Sequence, residues 1–360
     1  MRLVFLYVMH TRGKFYARRI VEEGYYYLLT QLVKYKIVDE VLIVVHGTGE
    51  VTPVSYPFPG VSGIIVPDLQ ALALRDNDII WCRGGFRAWH DVLKAWGEKG
   101  HWLINYAANT GRERWMFWDV IFNDLVKESY LDSRGRYNLA WTKPTNPEVF
   151  FPIEGCSIEY AVCIGSSFIH DKKGQWKVID ALVQYDMKYG VKLKCIMPGS
   201  FRHGVKTNKI MRLVEHQKLD VAITGMVDRS ALNAIYNKTS LYVHLGGGGQ
   251  NDRGPIEALS CGCNVLLETP KRHGPFLLEA PQIVKIAKDA SDPVAIAEDI
   301  HDILVSNGVA PRTCAKVFFE KHCNVISQIL PQMEKLFNVI RANSRPAPEA
   351  LKEEFRDKPE

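Results

Sequence analysis

Short apolar runs alternate with longer amphipathic stretches along most of the chain. Residues 2–9, Val41–Val45, Asp78–Cys82 and Trp102–Tyr106 are nearly continuous apolar runs, which predict strands buried on both faces. Helical spacing fills the gaps at about 17–35 and 87–98. Glycines follow strand ends at His46-Gly-Thr-Gly49 and Arg83-Gly-Gly85. They mark loops at the carboxyl edge of a parallel sheet, where open α/β sheets bind ligands.

The alternation stops at Lys143-Pro-Thr-Asn-Pro-Glu-Val-Phe-Phe-Pro152, where three prolines end regular structure. It then restarts. Tyr160–Ile164, Val191–Met197, Val221–Thr224, Leu241–Leu245 and Asn264–Leu267 read as strands. Trp176–Tyr189, Arg229–Tyr236 and a stretch from Pro255 to Ser260 read as helices. A long helix is predicted from about 324 to 342. The fold class is α/β, with two doubly wound Rossmann-like domains. The expected division is 1–146, 147–325, a C-terminal helix over 326–343 that returns to the first domain, and a loose charged tail over 344–360.

Composition narrows the classes. Hydrophobic residues make up 47% and charged residues 24%, which excludes wholesale disorder and a disulfide miniprotein. The formal charge of +5 is too weak for a dedicated nucleic-acid surface. No two of the cysteines form a Cys-x-x-Cys pair, so buried thiols in a reducing compartment are expected and no zinc site is read. No run of 18 apolar residues predicts a membrane span, and Met1–Met9 runs into His10, Arg12 and Lys14 as a strand rather than a signal peptide. The cytoplasm, or the cytoplasmic face of a membrane, is the expected location.

Two stretches carry candidate chemistry. Gly246-Gly-Gly-Gly-Gln-Asn-Asp-Arg-Gly-Pro255 follows a strand and opens a helix. Consecutive glycines let backbone approach a ligand, and the unpaired N–H groups of a helix start favour an anion. Glu257, read as part of that first turn, can accept two hydroxyls such as those of a ribose. A flexible loop with a capping glutamate reads the same residues without a ligand. The second stretch, Gly165-Ser-Ser-Phe-Ile-His-Asp-Lys-Lys-Gly174, places Lys172 and Lys173 before a helix. Either lysine reaches a phosphate as a point charge, or both are solvated.

In sequence order these motifs resemble the retaining nucleotide-sugar glycosyltransferases of family 4, the group 1 enzymes of GT-B type. Asn146-Pro-Glu-Val-Phe-Phe-Pro152 resembles the link that closes their first domain. Ile164–Gly174 resembles their diphosphate loop, and Gly225-Met-Val-Asp-Arg-Ser-Ala-Leu-Asn-Ala-Ile-Tyr236 their G-x-V…L-x-x-x-Y segment. Glu257-Ala-Leu-Ser-Cys-Gly-Cys-Asn-Val-Leu266 resembles E-A-M-A-C-G-x-P-V-I. The resemblance covers about residues 144–270; residues 1–110 match only in style.

The resemblance implies two domains facing each other across a cleft, with donor binding by Gly13, Lys14, Ser166, Lys173, Gly248, Gly249, Asn251, Arg253, Gly254 and Glu257. Lys173 would take the diphosphate and Glu257 the ribose. The family's usual first glutamate is replaced by Gly249, so Gln250 or Asp252 is expected to contact the sugar. His46 is an alternative to the family's first-domain histidine, and an ordinary loop histidine is the competing reading. Aromatic and basic loops carrying Arg83, Arg87, Trp89, Arg112 and Arg114 are expected to hold the acceptor, although the Trp-rich run around 112–118 also reads as a buried helix. The expected activity is metal-independent transfer of a sugar from a nucleoside-diphosphate sugar, a co-substrate rather than a cofactor, to a hydroxyl with retained configuration. The acceptor would be a glycan or lipid-linked glycan, which leaves peripheral membrane contact open. Three other readings stay open: a non-catalytic nucleotide-sugar-binding subunit, a sugar-nucleotide epimerase, and a transferase acting on modified nucleic acid.

Overall fold

A computed structural model describes residues 1–9, 17–83, 89–106, 118–123, 129–133, 135–165, 174–199, 205–246, 253–268, 282–306, 312–343 and 350. The chain forms two compact units, Met1–Asn146 together with the segment from Asn324 onward, and Pro147–Cys323.

In the first unit the strands are β1 (Arg2–Met9), β2 (Glu40–His46), β3 (Thr52–Ser55), β4 (Val61–Val66), β5 (Ile79–Arg83), β6 (Trp102–Tyr106), β7 (Val120–Asn123), β8 (Tyr130–Leu131) and β9 (Tyr137–Ala140). They form one sheet in the order β3-β4-β2-β1-β5-β6-β7-β9-β8. Its interior is parallel, and the outermost pairs β3/β4 and β8/β9 are antiparallel. Phe5, Ile43, Trp81, Ile104 and Phe122 pack one face. Against it lie helix α1 (Gly24–Lys34) and the last helix, while α2 (His90–Glu98) contributes Leu93 and Trp96 to the opposite face with Val4, Ile80 and Leu103. Each interior strand therefore buries both faces, which is why these runs lack polar alternation.

In the second unit β10 (Tyr160–Cys163), β11 (Cys195–Pro198), β12 (Val221–Gly225), β13 (Thr239–His244), β14 (Asn264–Leu267) and β15 (Val284–Ile286) run in the order β12-β11-β10-β13-β14-β15, all parallel. The helices are α3 (Gln175–Tyr189), α4 (Val205–His216), α5 (Arg229–Asn237), α6 (Arg253–Ser260), α7 (Pro293–His301) and α8 (Arg312–His322). Residues of α3 and α7 share one core, and residues of α5, α6 and α8 the other. Strand order reverses between β10 and β13, which makes their carboxyl ends the switch point of a doubly wound sheet. None of the eight cysteines is joined in a disulfide, and six of them are buried. Among the described residues no helix is long and apolar enough to cross a membrane.

Several sequence expectations change. The helix expected over 17–35 is broken by a short tight turn at Ile20–Glu22, and α1 starts only at Gly24. The break is at Glu23, which is extended, and glycine follows it at 24 because a side chain there would collide with the Pro144 carbonyl. The strand expected over Val191–Met197 begins at Cys195, because pairing with β10 starts at Val162↔Cys195 and Val191 stands exposed. The helix expected from 324 to 342 opens with a wide π-type turn, Val325–Ile329, before α9 (Leu330–Ala342). Pro331 has no N–H to continue the preceding ladder, and the Asn324 side chain instead caps the N–H groups of Ile326 and Ser327. Strands β3, β4, β7–β9 and β15 and helices α4, α7 and α8 had no counterpart in the sequence reading.

One partly buried acid of the first unit titrates unusually. Asp119 precedes β7 and accepts a 2.7 Å hydrogen bond from the Leu103 N–H, yet burial dominates and pushes its carboxyl up to about 7. An unfolded chain ionises this group near pH 4. The neutral carboxyl thus favours the fold fully at low pH, and that contribution is lost as pH rises through 7. Asp119→Asn, which keeps an acceptor for Leu103, gains stability over the parent across this window, by about 2–4 kcal/mol at pH 8 relative to pH 4. Urea unfolding at the two pH values measures it; an equal difference at both rejects the assignment.

Candidate functional site

At the switch point of the second unit, two loops leave neighbouring strands. One follows β10 through Ile164 and Gly165 and re-enters at Gly174 before α3. The other follows β13 through Leu245 and Gly246 and re-enters at Arg253, where α6 starts. Small residues permit this convergence. A Cβ on Gly165 would lie 2.5 Å from the Tyr242 ring, and one on Gly254 would collide with the Tyr242 hydroxyl. Gly174 has φ +70° and sits against the Leu245 carbonyl, a conformation and a contact that exclude other side chains. Tyr242 is buried against Gly165 and Gly254 with Tyr236 edge-on at 5.6 Å, and burial raises both phenols well above their ordinary range.

Helix α6 points its N-terminus to this edge. It begins at Arg253, so Glu257 is the fifth helical residue rather than part of the first turn. Glu257 is 6% exposed. Its Oε1 accepts a 2.6 Å hydrogen bond from Nη1 of Arg229, at the start of α5. Arg229 also lies over the Phe150 ring, 5.7 Å from its centroid. Arg229 was not among the sequence candidates. Its signal was a polar row at four-residue spacing, Arg229, Asn233 and Asn237, on an otherwise apolar segment. The two asparagines grip the chain after Phe150. Asn233 Oδ1 accepts from the Phe151 N–H at 3.2 Å, Asn237 Oδ1 accepts from the Ile153 N–H at 2.7 Å, and Asn237 Nδ2 donates to the Phe151 carbonyl at 2.9 Å.

Of the donor-binding candidates, the structure places Arg253, Gly254 and Glu257 together on α6. Gly13, Lys14, Ser166, Lys173, Gly248, Gly249 and Asn251 lie outside the described residues, as do the catalytic candidates Gln250 and Asp252 and the acceptor candidates Arg87, Arg112 and Arg114.

Three candidates of the first unit are described. Arg83 ends β5, beside the switch point between β1 and β5. Its guanidinium lies 4.7 Å from the Tyr7 ring centroid and 4.9 Å from that of Tyr25, and its Nη1 is 3.3 Å from Glu23 Oε2. His46 ends β2, where its Nε2 lies 3.0 Å from the Pro67 carbonyl and its ring meets Trp89 edge-on at 5.7 Å. That pairing joins two of the sequence candidates and packs Trp89 onto the core facing α2. Among the described residues no group of three or more His, Cys, Asp or Glu side chains forms a metal-binding cluster.

No family model matches the sequence, and no curated protein matches it. Solved structures match over nearly the whole chain. A glycosyltransferase from Rickettsia africae is 14% identical, with 99% of each chain covered and a TM-score of 0.62. A sucrose-phosphate synthase from Thermosynechococcus elongatus is 14% identical, with coverage of 95% and 99% and a TM-score of 0.63. HepE of Anabaena, solved with UDP and glucose, is 15% identical, with coverage of 94% and 100% and a TM-score of 0.63. All three are glycosyltransferases. The fold is that of the GT-B glycosyltransferases, built from two Rossmann-like units.

Proposed function

We propose that this protein is a glycosyltransferase that moves a sugar from a nucleoside-diphosphate sugar to an acceptor hydroxyl with retained configuration. The observation that carries the reading is that β10 and β13 adjoin at the switch point, with Gly165 and Gly254 against Tyr242, Gly174 against Leu245, and the start of α6 and the buried Glu257 at that edge. The positive end of the α6 dipole suits a diphosphate, and Glu257 suits the ribose hydroxyls. The leaving diphosphate gains charge in the transition state. Lys173, Arg253 and the α6 N-terminus would stabilise that charge without a metal ion. The acceptor would be a glycan or lipid-linked glycan held by the first unit.

UDP and glucose are bound by HepE, so UDP-sugars are the first donors to test. The expected result is release of nucleoside diphosphate from one donor of a panel, with a sugar-bearing product of unchanged anomeric configuration. Donor binding without turnover favours the second reading, a nucleotide-sugar-binding subunit, which the glycine at position 249 supports because the resemblance places a glutamate there. An altered sugar still attached to its nucleotide would instead identify an epimerase.

A further inference from the structure

Glu257 does not stand alone. Arg229 takes Oε1 of this carboxylate, and among the described residues no other group donates to it, so Oε2 is left for a ligand. A buried ion pair of this kind contributes little net stability, because desolvation offsets the attraction. Its value here is directional. The guanidinium is flanked by the Phe150 ring, and it grows from the same helix that Asn233 and Asn237 bolt to Phe151 and Ile153. Arg229 is thus anchored from two sides, and it fixes the orientation of the glutamate.

We propose that Arg229 is a positioning residue that orients the Glu257 carboxylate and aims its second oxygen at the ribose hydroxyls of a nucleoside diphosphate. The proposal rests on the donor reading of Glu257 given above. It makes Arg229 the origin of discrimination between ribose and deoxyribose, although Arg229 need not touch the nucleotide. A guanidinium offers a planar fork that an ammonium cannot reproduce, so lysine restores the charge without the aim.

The test is calorimetric binding of UDP, GDP and ADP, each against its 2′-deoxy form. The wild-type protein is expected to prefer one ribonucleotide over its deoxy form by about 10- to 100-fold, the worth of a hydrogen bond to a charged group. Arg229→Gln is expected to abolish that preference while binding the 2′-deoxy nucleotide as tightly as the wild type. Arg229→Lys is expected to restore only part of the preference. A purely structural role would lower binding of both forms alike. Wild-type preference retained in Arg229→Lys and Arg229→Gln overturns the proposal, and the lysine variant alone decides the matter should the glutamine variant not fold. Glu257→Gln separates the two levels. Loss of preference there, with retention in the Arg229 variants, rejects the positioning role only. Retention in Glu257→Gln, or no wild-type binding of any of the three diphosphates, rejects the donor reading beneath it.

Discussion

Glu257→Gln is expected to lower kcat/KM for the donor by about 10- to 100-fold, because a hydrogen bond to a charged group contributes about 1.5–3 kcal/mol. The amide keeps the shape and one acceptor oxygen but loses the charge. The loss should fall mainly on KM, since the ribose lies away from the reacting carbon and is held equally in ground and transition states. The variant also sets the Arg229 guanidinium against a neutral amide in a site where Glu257 is 6% exposed. Removing one member of a buried pair costs about 3–5 kcal/mol, so thermal unfolding must be measured beside the kinetics. Folded Glu257→Gln with wild-type KM argues against a ribose contact. Wild-type activity in both Glu257→Ala and Lys173→Ala rejects the donor site as a whole.

The second large effect lies in the first unit. Phe337 of α9 is fully buried among residues of the nine-stranded sheet's core, with Leu336, Met333 and Ile340 from the same helix. Arg341 reinforces the attachment by donating to the carbonyls of Lys36 and Ile37. Phe337→Ala opens a cavity and is expected to cost about 3–5 kcal/mol. For a unit of this size the melting temperature falls by roughly 10 °C. Scanning calorimetry should show the loss in the transition of the first unit, with nucleotide binding to the second unit preserved below that transition. A shift under 2–3 °C, roughly a 1 kcal/mol effect, would mean that α9 contributes little to this core.

The strands closest to each switch point were legible because they are buried on both faces. Trp81 and Ile80 of β5, and Leu241 and Val243 of β13, leave no polar interruption to misread. Strands β3 and β8 were not legible. β3 alternates half-buried and exposed residues around Pro53, and β8 is a two-residue edge piece, so neither carries a run long enough to register. Of the site, the helix that carries Glu257 was read from the sequence, and the start of α6 was misplaced because Arg253 and Gly254 look like loop residues. Arg229 was passed over for a different reason. Its role depends on a partner 28 positions away, and nothing in a local pattern announces which carboxylate a cation will meet. Most of the remaining candidates lie in the glycine-rich and Trp-rich segments outside the described residues.

The return of α9 to the first unit has a consequence for biosynthesis. A ribosome delivers residues 147–323 before α9 exists, so the second unit can close its cores while the sheet begun by β1 still lacks part of its cover. Phe5, Trp81 and Phe122 then await a helix made more than two hundred residues after β6. Truncation or premature termination before the end of α9 would therefore leave a sound second unit tethered to an aggregation-prone first one.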